Sequence, residues 1–278
     1  MAFTNRIKKI FITLILIYVC FVAALYLIQR KMVFFTQPNA PDISAYVDDG
    51  MRAIDITLGN DTRVTSWYRA PLAGKQTLVF FHGNASNHFG NAYKAAPYLN
   101  KGYGFLSVGY PGYGGNEGKP SEKTLYQSAR AWILYLINAL ETPPRDIVLY
   151  GESLGTGVAV QMGLEFEGLQ AIILESPYTS LPDVAAKRYF FVPVHILMKD
   201  KFNSLKKVPD LKTPLLIMRG GQDTVVPPAF GQKLYDAANA PKDIIQFDAY
   251  GHNDMPLNKM AQTVEDFLSS LKISSPQE

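Results

Sequence analysis

Two hydrophobic patterns alternate along most of the chain. Short apolar runs, typical of buried strands, are followed by stretches in which apolar residues recur every three or four positions, typical of helices. The apolar runs lie at 53–58, 63–69, 77–81, 105–110, 147–150, 171–174, 215–217 and 244–247. The helical patterns lie at 121–139, 156–162, 228–238 and 258–271. This alternation predicts an α/β fold with a mostly parallel sheet and helices on both faces.

One long apolar run near the N-terminus departs from this alternation. Residues 10–28 are nineteen positions without a charged side chain. A helix of this length can cross the hydrocarbon core of a bilayer. A core helix of a soluble domain rarely runs so far without polar residues, and a cleaved signal peptide has a shorter apolar core followed by a small-residue cleavage site. We therefore expect residues 1–31 to be a retained single-pass membrane anchor.

Basic residues on both sides of the apolar run indicate an orientation. Arg6, Lys8 and Lys9 precede it, and Arg30 and Lys31 follow it. Positive charge tends to stay on the cytoplasmic side of a membrane. The excess on the N-terminal side favours an inside N-terminus and places the remainder of the chain on the non-cytoplasmic side.

Residues 32–278 are predicted to form one domain, which begins with a connecting segment at 32–49. An insertion at about 178–211 interrupts the alternation of strands and helices. Its middle, 189–198, has no formal charge when His195 is neutral, and basic residues flank it. Such a cap could bind an acyl chain or touch a membrane surface, or it could simply pack on the domain. The sequence leaves both interpretations open.

Composition excludes several classes of function. The net charge is only +3, and no basic run is interleaved with aromatic residues as in nucleic-acid-binding proteins. The single cysteine, Cys20, excludes an internal disulfide and a thiolate metal cluster. Among the four histidines, only His82 and His88 lie close together, in one loop. We expect no metal, no cofactor and no nucleic-acid partner.

A serine between two glycines is the strongest chemical signal. Residues 151–155 have the sequence Gly-Glu-Ser-Leu-Gly, directly after an apolar run and before a helical pattern. A serine at such a strand-to-helix turn is held in a strained backbone with its hydroxyl exposed, while the glycines let the strand and helix approach closely. The motif predicts that Ser153 is a nucleophile. The alternative is a tight structural turn.

A base and an acid follow in later loops. A serine hydroxyl becomes a good nucleophile when a base takes its proton, and a histidine base needs a carboxylate to fix its tautomer and stabilise its charged form. His252 and Asp223 each follow a predicted strand, so they should meet Ser153 at one edge of a parallel sheet. Glu175, which ends another strand, and Asp254 are the competing acids.

The loop after the run 77–81 completes the predicted site. A glycine-containing loop at the end of a central strand can present backbone N–H groups to the oxyanion formed during acyl transfer. We expect the backbone N–H groups of Asn84 and Leu154 to be the two donors. His82, at the start of the loop, is expected to hold it in place by hydrogen bonding.

Six motifs in order make the chain resemble one family of known proteins. They lie at 81–84, 110–114 with 118–121, 151–155, 175–178, 223–227 and 251–254. Together they resemble the α/β-hydrolase fold, and in particular the membrane-anchored BEM46-like group, which includes relatives of mammalian ABHD-type lipid hydrolases and protein depalmitoylases. The resemblance covers residues 32 to 272. It implies an ester or thioester hydrolase that acts on lipid-like acyl substrates without a cofactor.

The residues predict a membrane-tethered serine hydrolase that forms an acyl-enzyme on Ser153. Two alternatives stay open. The first is a serine peptidase or amidase on the same fold, because the same three side chains can also hydrolyse amides. The second is a non-catalytic membrane-tethered scaffold that has kept the fold.

Overall fold

The computed structural model describes residues 2–36, 50–59, 61–88 and 92–273. Most of the predicted connecting segment, residues 37–49, lies outside these ranges. The strands are β1 (Arg52–Thr57), β2 (Arg63–Arg69), β3 (Thr77–Phe81), β4 (Gly104–Ser107), β5 (Ile147–Glu152), β6 (Ala171–Glu175), β7 (Leu215–Gly220) and β8 (Lys242–Phe247). The helices are α1 (Ala2–Val33), α2 (Ala96–Leu99), α3 (Glu122–Asn138), α4 (Leu154–Glu165), α5 (Leu181–Arg188), α6 (Val194–Leu197), α7 (Ser204–Lys207), α8 (Pro228–Ala237) and α9 (Leu257–Ile273).

The strands form one sheet in the order β1-β2-β4-β3-β5-β6-β7-β8. The pairs β1–β2 and β2–β4 are antiparallel, and all the other pairs are parallel. Every residue of β3, β5 and β6 is buried, because helices cover both faces of the sheet. Helices α3, α4 and α8 pack on one face, and α2 and α9 pack on the other. The predicted mostly parallel sheet with helices on both faces is confirmed.

The parallel strands end at a common level. Phe81 pairs with Gly151, Glu152 pairs with Glu175, and Glu175 pairs with Met218. The loops after β3, β5, β6 and β7 therefore leave the sheet side by side at its carboxyl edge. Ligands bind at this edge in open α/β sheets, so these loops are where a site is expected.

The predicted strand at 105–110 ends earlier than its apolar run suggested. The N–H of Val108 still donates to the Phe80 carbonyl at 3.0 Å, but the N–H of Gly109 donates to the Ser66 hydroxyl at 2.7 Å. The chain leaves the sheet there because Gly109 passes against the backbone of Thr65, where a Cβ would clash. Val108 and Tyr110 are nonetheless buried. An apolar run thus reports burial more faithfully than strand pairing.

A short helical segment at 92–99 was not predicted. It consists of a 3-10 turn, Ala92–Lys94, followed by α2. Its length is too short to give a periodic hydrophobic pattern. It places Lys94 in the interior behind the carboxyl edge of the sheet, where the side chain is buried.

Helix α1 contains the predicted apolar run 10–28 and is long and apolar enough to cross a membrane. Its C-terminal end is fixed to the domain by an ion pair. The Arg30 guanidinium contacts both oxygens of Asp200, at 2.8 and 3.3 Å, and the N–H of Glu122 donates to the same carboxylate at 2.8 Å. The end of the apolar helix and the start of α3 are therefore joined through one buried carboxylate.

Candidate active site

Ser153 lies in the turn between β5 and α4 with a strained backbone. Its φ of 47° and ψ of −112° lie outside the regions that non-glycine residues usually adopt, at a cost on the order of 1–3 kcal/mol. Hydrogen bonds to both backbone groups of Ser153 hold this conformation. The Ser153 N–H donates to the Glu175 carbonyl at 2.9 Å, and the N–H of Thr156 donates to the Ser153 carbonyl at 3.0 Å.

The two glycines of the motif are required by close backbone contacts. A Cβ at Gly155 would clash with the carbonyl of Phe81 at the end of β3, and one at Gly151 would clash with the backbone of Gly155. These contacts bring the first turn of α4 against two neighbouring strands. The turn that presents Ser153 is therefore possible only with glycine at both positions.

The structure brings Ser153, His252 and Asp223 together in one hydrogen-bonded chain. His252 Nε2 lies 3.0 Å from Ser153 Oγ, and His252 Nδ1 lies 2.7 Å from Asp223 Oδ2. Asp223 Oδ1 accepts the backbone N–H groups of Val225 and Val226 at 2.9 and 2.8 Å. A carboxylate accepts only, so Nδ1 carries a proton and Nε2 is left to accept the serine hydroxyl.

The two competing acids have other partners. Glu175 accepts a hydrogen bond from Lys94 Nζ at 2.8 Å and another from the Tyr150 hydroxyl at 2.8 Å. Asp254 accepts the N–H of Gly251 at 2.6 Å, and so shapes the loop that carries the histidine. The side chain of Asp223 is 1 % exposed, which keeps water from competing for its contact with the imidazole.

The loop that follows β3 passes directly over Ser153. A Cβ at Gly83 would lie 3.4 Å from the Cβ of Ser153. His82 holds this loop as predicted, since its Nδ1 donates to the Gly83 carbonyl at 2.8 Å. Burial lowers the pKa of His82 to about 4, so its ring is neutral near pH 7.

The two predicted oxyanion donors lie on either side of the junctions that surround Ser153 in the chain, Leu154 directly after it and Asn84 in the loop after β3. Leu154 is the first residue of α4, where backbone N–H groups lack a partner within the helix and the helix dipole favours negative charge. Asn84 follows Gly83, and its side chain is already engaged. Its amide nitrogen donates to the Val33 carbonyl at 2.6 Å, and its oxygen accepts the Phe35 N–H at 2.9 Å. The side chain therefore ties the loop to the end of α1.

A buried charged cluster next to the Ser153 turn was not predicted from the sequence. Lys94 Nζ lies 2.8 Å from a carboxylate oxygen of Glu152 and 2.8 Å from one of Glu175. Burial favours the neutral form of Lys94, but the charges of Glu175 and Glu152 outweigh it and raise the pKa of the lysine. Burial and the charge of Glu175 raise the pKa of Glu152, against the opposing effect of Lys94. A lysine within a mainly apolar stretch was the only signal in the sequence.

The arrangement can transfer a proton from a hydroxyl to an imidazole and stabilise the resulting positive charge with a buried carboxylate. Among the described residues, no group of three or more His, Cys, Asp or Glu side chains is placed to hold a metal ion. The chemistry that Ser153, His252 and Asp223 can supply is that of a nucleophile, a base and a carboxylate that orients the base.

Comparison with known proteins identifies relatives of this chain. The sequence profile of the alpha/beta hydrolase fold matches residues 76–202. A Mycobacterium tuberculosis protein, named only as uncharacterized, is 31% identical over 88% of this chain and 89% of its own length. The human alpha/beta hydrolase domain-containing protein 17B is 31% identical over 70% of this chain and 67% of its own length.

Solved structures share the fold. An esterase from Pyrococcus furiosus superposes with a TM-score of 0.70 at 20% identity, covering 85% of this chain and 97% of the esterase. An alpha-beta hydrolase from Vibrio vulnificus superposes with a TM-score of 0.69 at 22% identity, covering 85% of this chain and 88% of that protein. The α/β-hydrolase fold expected from the six motifs is confirmed.

Proposed function

The chain belongs to the α/β-hydrolase family, and from that premise we propose that it is a membrane-anchored serine hydrolase that cleaves carboxylic ester or thioester bonds of lipid-like acyl substrates. Hydrolase activity is supported by the family and by the esterase fold. What we propose beyond hydrolase activity is that Ser153 is the nucleophile, that the bond cleaved is an ester or thioester, and that α1 anchors the protein in a membrane. The observation that carries it is the hydrogen-bonded chain from Ser153 through His252 to Asp223.

In the first half of the reaction, Ser153 Oγ attacks the acyl carbonyl carbon while His252 Nε2 takes the hydroxyl proton. Asp223 stabilises the imidazolium that forms. The backbone N–H groups of Asn84 and Leu154 donate to the oxyanion of the tetrahedral intermediate. The intermediate collapses when the carbon–oxygen or carbon–sulfur bond to the leaving group breaks, and His252 returns its proton to the departing alcohol or thiol.

In the second half, a water molecule attacks the carbonyl carbon of the acyl-enzyme while His252 Nε2 takes one of its protons. The bond to Ser153 Oγ breaks, the serine recovers a proton from the imidazolium, and the carboxylic acid leaves. None of these steps requires a metal or a cofactor.

The proposed organisation has two parts. Residues 1–31 anchor the protein in the membrane through 10–28, and residues 32–278 form the hydrolase domain, with a cap at about 178–211. The orientation proposed from the flanking charges places this domain on the non-cytoplasmic side. The exposed apolar surface of α1 supports the anchor.

The test is substitution of the proposed nucleophile. Ser153→Ala removes the attacking oxygen, and we expect it to lower esterase activity by roughly 10⁴-fold or more and to abolish labelling by a fluorophosphonate probe. Ser269→Ala, at an exposed position in α9, is the matched control and should leave both unchanged. Undiminished esterase activity in Ser153→Ala would reject the proposal.

A substrate panel separates the alternatives. We expect turnover of acyl esters and thioesters and little turnover of aminoacyl or peptidyl amides, because an amide has a poorer leaving group. Faster amide turnover would make the protein a peptidase. Absence of turnover on every ester, thioester and amide would favour a non-catalytic scaffold.

A further inference from the structure

A groove of about 990 Å³ runs between α1 and the cap. Its volume is at the upper end of the range for small-molecule sites. Along α1 it extends from Val22 to Val33, which corresponds to roughly 16 Å of helix, and Phe35 just beyond the helix also lines it. Most of the side chains that line it are apolar, including Val22, Leu25 and Tyr26 from α1 and Leu181, Val184 and Val192 from the cap.

The inner end of the groove reaches the loops of the candidate active site. Asn84, Thr224 and Val225 line it there. Asn84 follows Gly83, which lies against Ser153, and Thr224 follows the aspartate that contacts the histidine. A molecule that lies along the groove therefore has one end beside the loops that flank the proposed nucleophile.

The tip of the cap, residues 190–196, contacts α1 near the middle of its apolar run. The Tyr18 hydroxyl donates to the Phe191 carbonyl at 2.7 Å, and the rings of Phe21 and Phe191 lie 6.2 Å apart. Tyr18 precedes Ile28, the end of the run, by ten residues, or roughly 15 Å of helix. This is half of a hydrocarbon core of roughly 30 Å. If residues 10–28 span the membrane, the tip of the cap lies inside one leaflet.

The chemistry of the tip fits that position. The side chains of Phe190 and Ile196 are 84% and 79% exposed, which is unfavourable in water and favourable in hydrocarbon. The Phe191 carbonyl receives its hydrogen bond from Tyr18, as a backbone group in lipid requires.

Basic side chains lie where the head groups of the lipids would be. Lys31, just past the end of the apolar run, lines the groove, and the Lys199 ammonium lies 4.3 Å from the centre of the Tyr26 ring. Long basic side chains near the end of a membrane helix reach toward the polar interface, where anionic lipids attract them. The groove therefore extends from the level of the head groups into the apolar interior.

We propose that the groove binds the long acyl chain of an ester dissolved in the bilayer, which enters sideways from the leaflet and reaches Ser153 along α1. The membrane helix then forms one wall of the substrate site in addition to being a tether. This inference rests on the proposed serine hydrolase function and names the source of its substrate.

The test uses the full chain reconstituted in phosphatidylcholine vesicles. The two substrates are p-nitrophenyl palmitate dissolved in the bilayer and p-nitrophenyl butyrate added in water. Leu25→Trp fills the groove from α1, and Val184→Trp fills it from the cap. We expect each to lower the ratio of palmitate to butyrate kcat/KM by roughly tenfold or more, since only the long chain needs the groove.

Leu27→Trp is the matched control. Leu27 is two residues from Leu25, is 77% exposed and does not line the groove, so the ratio should stay within about twofold of the wild-type value. Active protein is counted by fluorophosphonate labelling, so a misfolded fraction of any variant does not enter kcat/KM.

Three outcomes would contradict the inference, and they are separable from failure of the proposed function. An unchanged ratio in both Leu25→Trp and Val184→Trp would show that the groove does not hold the chain. An equal fall of the palmitate-to-butyrate ratio in Leu27→Trp would mean that altered membrane insertion, and not the groove, causes the effect. Turnover of a soluble palmitoyl thioester peptide without turnover of the bilayer ester would exclude a lipid as the source. In all three cases Ser153→Ala would still abolish activity, whereas its failure to do so rejects the hydrolase itself.

Discussion

Hydrogen bonds to both carboxylate oxygens fix the side chain of Asp223 in the candidate site. One oxygen accepts two backbone N–H groups from the loop that follows it, and the other is left to face His252. A side chain fixed in this way holds the imidazole in one orientation and one tautomer. The loop, rather than the carboxylate alone, therefore sets the geometry of the base.

We expect Asp223→Asn to lower kcat for ester hydrolysis by roughly 10³- to 10⁴-fold with little change in KM, because the amide favours the wrong tautomer of His252. Steady-state kinetics on a short-chain ester measures this. Asp254→Asn is the control, since an amide oxygen can still accept the Gly251 N–H. The fall in kcat of this variant should stay within about tenfold. A larger loss in Asp254→Asn than in Asp223→Asn would reassign the acid.

Lys94 is a second residue whose role depends on burial. Its side chain is 6% exposed and lies between two carboxylates, one of which belongs to Glu152, the residue before Ser153. Without the lysine, Glu152 and Glu175 would face each other in the interior with no positive charge between them. Removing one partner from a buried ionic cluster is strongly destabilising.

We expect Lys94→Met to lower the free energy of unfolding by about 3–5 kcal/mol at pH 8 and by less at pH 5. The pKa of Glu152 is already raised, and loss of Lys94 removes the charge that opposes this. A raised folded-state pKa gives stability that is present below the ordinary pKa of glutamate and lost as the pH rises through the folded value.

Urea unfolding at the two pH values measures the effect of Lys94→Met. Lys212→Met is the control, because the side chains of Lys212 and its partner Glu167 are 85% and 82% exposed, and it should change stability by less than about 0.5 kcal/mol. Equal destabilisation by Lys94→Met at pH 5 and pH 8 would contradict the assigned charge interaction.

At the scale of the elements, the junction between β5 and α4 depends on backbone packing. The first turn of α4 lies against the end of β3, and Gly155 is the point of closest approach. The strain at Ser153 persists because strand pairing and helix packing hold the residues on either side of it. A change at Gly155 should therefore act on the fold and on the serine together.

We expect Gly155→Ala to destabilise the protein by roughly 4 kcal/mol or more, or to prevent its folding, because the new methyl group would clash with the carbonyl of Phe81. Thermal unfolding and the yield of soluble, fluorophosphonate-reactive protein measure it. Gly59→Ala is the control, since nothing lies within 4 Å of a Cβ there. Wild-type stability in Gly155→Ala would mean that Gly155 does not pass closely against the Phe81 carbonyl.

At the scale of the whole molecule, two buried histidines couple the fold to pH. Burial lowers the pKa of His82 to about 4 and that of His88 to about 3. The unfolded chain therefore takes up protons before the folded chain does. The stability that the neutral rings contribute is present above about pH 6.5 and is lost as the pH falls toward these values.

We expect the free energy of unfolding to fall between pH 6.5 and pH 4, with each buried histidine adding up to about 1.4 kcal/mol per pH unit. His82→Asn removes one of the two histidines and should reduce the slope by up to about 1.4 kcal/mol per pH unit, whatever its effect on absolute stability. Ser269→Ala, at an exposed position in α9, changes no ionisable group and should leave the slope unchanged. Urea midpoints across the pH range measure it, and an unaltered slope in His82→Asn would contradict the prediction.

The sequence alone determined most of the strands and long helices, the order of the motifs and the identity of the candidate side chains. Hydrophobic periodicity predicted the bounds of β2 and β3 and placed Ser153, Asp223 and His252 after strands. In a parallel sheet every strand ends at the same edge, so residues that are distant in sequence could be expected to meet there. These are local signals, and each can be recognised from neighbouring residues.

The sequence favoured Asp223 over Glu175 as the partner of His252, but only the tertiary structure shows the contact, because both residues follow strands and the contact depends on how the loops turn. The tertiary structure also decided the burial of Lys94 and the path of the groove. In α1, Val22, Leu25 and Gln29 are partly buried while their neighbours are exposed, yet the apolar run looks uniform in sequence. Packing between distant segments decides which face of an apolar helix contacts the domain. The hydrophobicity of neighbouring residues therefore cannot predict that face.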